Sequence, residues 1–179
     1  KSDVVNIGIT VVKEAASSDN EDENEESLQE DDGLTDEERI EKKALEAATF
    51  IFNRANELHD DGKYLQAIPL YEEALYTREL YIHSPEDTRI IELVSMMGQN
   101  YSKLRDFKKA DHFYQLGSDY TIAKYNYFSA EAVESMQPLI KNYHAMGQIG
   151  EAHKLIQECV DIRVQIHGED DPETAIMYQ

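Results

Sequence analysis

From about residue 45 to the end of the chain, apolar and small residues return at a fixed interval. Three lines align without gaps. The first is Ala55-x-x-Leu58, then Gly62, Tyr64, Ala67, Tyr71 and Ala74. The second is Gly98-x-x-Tyr101, then Phe107, Ala110, Tyr114 and Gly117. The third is Ile140-x-x-Tyr143, then Gly147, Ile149, Ala152, Ile156 and Cys159. The central alanines Ala67, Ala110 and Ala152 stand 43 and 42 residues apart, a period that marks a helical solenoid. Within each line the pattern predicts a first helix ending near Leu58, Tyr101 or Tyr143. A short turn follows, over 61–63, 104–106 or 146–148, and a second helix returns. Antiparallel helices approach closely only where side chains are small, so Ala55 and Gly98 are expected to face Ala67 and Ala110. Gly98 inside a helix costs about 1 kcal/mol against alanine, and close packing is the expected compensation. Tyr71, Tyr114 and Ile156 are expected to fill the gap to the next repeat, because no hairpin buries both faces alone.

The ends of the helices carry their own signals. Thr35-Asp36-Glu37-Glu38 has capping-box spacing, so helical structure is expected from Thr35 onward. Asp171-Pro172-Glu173-Thr174 reads as the start of a fourth repeat, and Ser84-Pro85-Glu86-Asp87 plays the same part earlier. The long second helices before them are expected to end near His83 and His167. Pro138 falls well inside a first helix and is expected to kink it or delay its start.

Upstream the pattern changes. Residues 1–16 contain the β-branched run Val4–Val12, which reads as extended or strand-like. Residues 17–34 read as a disordered linker: Ser17 to Gly33 holds nine acids and no base, too little apolar area to offset chain entropy. Residues 35–179 are then the array, three repeats and the start of a fourth. The chain begins at Lys1 and ends where the pattern has just restarted, so it reads as a segment of a longer protein.

Charge and composition narrow the partners. A formal net charge of −20 argues against nucleic acid, whose phosphates need a basic surface. No run reaches the ~18 apolar residues of a membrane span. The one cysteine, Cys159, fits a packing position in the core and a reducing, cytoplasmic setting. The histidines show no zinc spacing and there is no phosphate loop or nucleophile elbow. No catalytic residue, cofactor or metal site is expected, and the chain reads as a non-enzyme.

These lines resemble the tetratricopeptide repeat, and within it the ~42-residue repeat of kinesin light chains. Two stretches carry the narrower likeness: Ala67-Ile68-Pro69-Leu70-Tyr71-Glu72-Glu73-Ala74-Leu75 is similar to that subtype's second helix, and 165–175 to its inter-repeat linker. The resemblance covers about residues 45–179. Arg54, where an apolar residue is usual, and the linker at 125–132, which lacks the proline, depart from it. The resemblance implies an all-α fold, a right-handed α–α superhelix of helical hairpins whose first helices line a concave groove. It implies a protein-interaction module: an adaptor or scaffold that binds a linear peptide or a protein. The alternatives are a structural subunit of a cytoskeletal or ciliary assembly, or the recruiting region of a larger enzyme. By helical phase the groove is expected to present Phe52, Asn53, Asn56 and His59, then Ser95, Met96, Gln99 and Lys103, then Gln137, Lys141 and His144. Tetratricopeptide domains that hold acidic chaperone tails use a clamp of lysines, asparagines and an arginine. Phe52, Asn56, Met96, Glu134 and Pro138 stand at those places, so chaperone C-terminal tails are not expected as partners.

Overall fold

The computed structural model describes residues 33–81 and 87–168, and all of its regular structure there is α-helix. The helices are α1 (Asp36–Asp60), α2 (Tyr64–Tyr81), α3 (Thr88–Lys103), α4 (Phe107–Tyr125), α5 (Ala130–Ala145) and α6 (Ile149–His167). Each packs on its neighbours in sequence, α1 on α2, α2 on α3, and so on to α6. That is the contact pattern of a solenoid, in which every unit leans only on the adjacent one. The expected strand-like segment 1–16, most of the acidic linker 17–34 and the start of a fourth repeat lie outside the described residues.

Local chemistry sets the helix limits. Thr35 Oγ1 accepts a hydrogen bond from the Glu38 amide at 3.2 Å, and the Glu38 carboxylate accepts from the Thr35 amide at 2.7 Å. This is the capping box that starts α1. The three turns within the hairpins repeat one another. The amides of Asp61, Gly62 and Lys63 bond back to Glu57, His59 and Leu58. Leu104, Arg105 and Asp106 repeat the scheme onto Asn100, Ser102 and Tyr101, and Met146, Gly147 and Gln148 onto Asn142, His144 and Tyr143. These bonds satisfy the last carbonyls of the first helix and need one residue at positive φ. Gly62 (φ 74°), Arg105 (φ 62°) and Gly147 (φ 73°) supply it.

Ala67, Ala110 and Ala152 occupy like environments: each is fully buried, as are Ala55, Ala74 and Cys159. Tyr71 lies with Leu93 and Met97 of the next repeat in one cluster, and Tyr114 with Leu139 in another. Three expectations need correcting. Gly98 is not reserved for Ala110; a Cβ there would stand 2.6 Å from the ring of Tyr114, so the glycine makes room for a tyrosine. α3 takes its N-cap from Asp87, whose side chain accepts from the Arg89 amide, and starts at Thr88. Asp87 is recruited because it also receives the buried Arg78 guanidinium of α2 at 3.0 Å. Pro138 does not delay α5, which begins at Ala130 behind the cap of Ser129 and runs through the proline. Only the bond that a residue-138 amide would give to the Glu134 carbonyl is missing.

Candidate protein-binding face

The exposed sides of the first helices α1, α3 and α5 hold most of the expected groove residues. Asn53, Gln99, Lys103, Gln137, Lys141 and His144 are exposed. Asn56, Gln99 and Lys141 take the same place in successive repeats, and each ends in an N–H donor. Asn56 is half-buried. Its Oδ1 accepts the Tyr71 hydroxyl at 2.7 Å, so its amide nitrogen is the end left to donate outward. Burial pushes the Tyr71 phenol up to about 12, so this hydroxyl stays a donor through the neutral range. Among the described residues Lys103 and Lys141 form no ion pair, although seven pairs hold other cations of the chain.

Four expected residues lie elsewhere. Phe52 is buried, its ring 5.8 Å from that of Tyr71 and 5.9 Å from the Arg89 guanidinium. It is three residues from Ala55, which puts both on the packing side of α1. Ser95 turns toward α4, where its Oγ would lie 3.4 Å from a Cβ on Gly117. Met96 packs half-buried against the first core cluster. His59 lies edge-on to Tyr64 at 5.3 Å, inside its own hairpin. Side chains of the first helices that look toward the second helix are therefore lost to the groove.

A family model described as tetratricopeptide repeat matches residues 141–173. Together with the repeated turns and the stacked hairpins, this decides the architecture. The array is a tetratricopeptide-repeat solenoid. Two solved structures share the fold. The crystal structure of BtubC (BKLC) from P. vanneervenii aligns over 81% of this chain with a TM-score of 0.55 and 19% identity. A kinesin-light-chain-like protein of Podosopora anserina with nearly identical TPR-like repeats aligns over 74%, with a TM-score of 0.56 and 16% identity. The chain spans 64% and 63% of those two proteins. At these identities the likeness is one of fold. No curated protein matches the chain in sequence.

The tetratricopeptide solenoid has other features outside the expected groove. Arg78 is buried on α2, tied to Asp87 and, through its second amino group, to Thr49 of α1 at 2.9 Å. The signal was its place four residues after Ala74 and seven after Tyr71, on the packing side of α2. On the outer side of α2, Leu65, Pro69, Tyr76 and Leu80 form an exposed row. The same places hold Lys108, His112, Asp119 and Ala123 in α4. Tyr125 and Tyr127 are also partly exposed, and Tyr127 donates to the Glu158 carboxylate of α6. Cys159 is buried 3.7 Å from the sulfur of Met136, and burial pushes its thiol up to about 11. That placement suits packing rather than reactivity. Among the described residues no cluster of His, Cys, Asp or Glu is placed to hold a metal ion, and no helix is long and apolar enough to cross a membrane.

Proposed function

We propose that this array is an adaptor module that holds an extended peptide against the first-helix face, with Asn56, Gln99 and Lys141 as its register-matched contacts. The observation that carries the reading is this donor row. An extended peptide presents backbone carbonyls at regular intervals, and one N–H donor per repeat engages them without demanding a particular sequence. Lys103 and Lys141, free of ion pairs among the described residues, add a preference for acidic side chains in the peptide. Asn53, Gln137 and His144 flank the row. Repeat proteins use such extended inner surfaces for binding. A cytoplasmic setting beside the cytoskeleton accords with the kinesin-light-chain-like fold. The exposed outer row Leu65, Pro69, Tyr76 and Leu80 favours a second reading, a subunit that also makes fixed contacts through its convex side.

A display library of peptides from disordered protein regions tests the first reading. Peptides selected on the wild-type chain should bind a chain carrying Asn56→Ala, Gln99→Ala and Lys141→Ala at least about tenfold more weakly, a change of about 1.4 kcal/mol. Equal affinity for both chains would remove the donor row from the account.

A further inference from the structure

The end of the array at α1 presents an inter-repeat contact surface that no described residue covers. In the second repeat Leu93 and Met97 of α3 reach into the core of the first hairpin and are almost wholly buried. In the third repeat Leu139 packs with Ala110 and Tyr114, while Ser135 bonds to Ser118 of α4 at 3.0 Å. Stepping back by the repeat interval, Leu93 and Ser135 correspond to Phe50, and Met97 and Leu139 to Arg54. Phe50 is 74% exposed. Arg54 turns aside into an exposed ion pair with Glu57, which seals one half of the face with charge. The other half carries the apolar Phe50 and Ile40, with Lys43 between them. Helical phase places Ile40, Lys43, Ala47 and Phe50 on that side of α1, and Ile40 is also mostly exposed. Repeat arrays need their terminal faces covered or polar to remain soluble.

We infer that Val4–Val12 of the same chain covers this end, lying extended across Phe50 and Ile40 with the acidic run 17–33 passing Lys42 and Lys43. Three properties single out this occupant. In an extended segment Val5, Ile7, Ile9 and Val11 share one side while Asn6, Gly8 and Thr10 share the other, so the segment has one apolar edge for a one-sided patch. The tether reaches: the 20 residues between Val12 and Gly33 span about 25 Å as a flexible chain, and Phe50 lies about 21 Å along α1 from its start. The charges match as well. Lys42 and Lys43 are exposed and form no ion pair among the described residues, and the tether of residues 13–32 carries ten acids and one base, Lys13. A tethered segment competes at millimolar effective concentration, which a dilute partner does not reach. This contact leaves Gln99 and Lys141 open, so it stands or falls independently of the peptide-binding reading.

A nitroxide on Gly8→Cys in the full chain tests it, because the native Cys159 is buried and stays unlabelled. Amide signals of Lys43, Ala47 and Phe50 should be lost to paramagnetic broadening. They should return in Phe50→Glu, a change at an exposed position, and equally in Ile7→Asp, which leaves the array untouched. Intact α1 signals in the labelled chain would overturn the inference. So would broadening centred on Gln99 and Gln137. Broadening that appears only between mixed labelled and unlabelled copies would assign the face to a second molecule instead.

Discussion

At Gly98 and Tyr114 a single hydrogen atom decides whether two helices can meet. Tyr114 corresponds to Tyr71 one repeat earlier, but its ring lies where a Cβ on residue 98 would stand, 2.6 Å away. In the first repeat the same place is Ala55, fully buried beneath Tyr71 and Phe52. Gly98→Ala regains about 1 kcal/mol of helix propensity and introduces overpacking of about 1–3 kcal/mol. The expected result is a net loss of up to about 2 kcal/mol, read as a lower denaturation midpoint. A stabilised variant would show that the ring moves freely. That Gly98 needed a close neighbour was legible from its place in a helix. Which neighbour was not, because the aligned alanine and the tyrosine four residues on both stand within reach until the crossing is known.

At the scale of the element, the three turns share one hydrogen-bond scheme with two different residue types at its left-handed position. Gly62 and Gly147 accept positive φ at no steric cost, whereas Arg105 at φ 62° crowds its Cβ against the backbone. Arg105 is exposed and forms no ion pair among the described residues. Arg105→Gly should therefore raise stability by about 0.5–1 kcal/mol, the strain relief exceeding the added chain entropy. A urea titration checks it: the midpoint should rise with the slope unchanged. The turn at Arg105 was readable without its glycine because the residues around it kept their register. The cap of α3 is Asp87, the last residue of the Ser84–Asp87 signal, and its pairing with the buried Arg78 of α2 is a contact no local pattern contains.

Across the whole molecule, Arg78 joins three helices. It sits on α2, donates to Thr49 of α1 and pairs with Asp87 at the head of α3. Its side chain is 9% exposed and that of Asp87 15%, so this pair is far less screened than the surface pairs of the array. Arg78→Met leaves the Asp87 carboxylate partly buried without its cation, a loss of about 3 kcal/mol. In a solenoid that loss falls on one interface. Hydrogen exchange should accelerate in α1 and α2 well before it does in α5 and α6; uniform acceleration would mean that the array opens as a single unit.

The sequence by itself determined the hairpins, their interval, the place of each turn and the buried alanines, because helical phase and turn chemistry are local and repeat with the chain. The tertiary structure decided which side of each first helix is free. Phe50 and Phe52 are the same residue two positions apart, about 200° around one helix, and one is 74% exposed while the other is 3%. Spacing from Ala55 puts Phe52 on the packing side, but only the assembled array shows that the opposite side, with Phe50, is left open. α2 and α3 lie against one side of α1, and among the described residues nothing lies against the other.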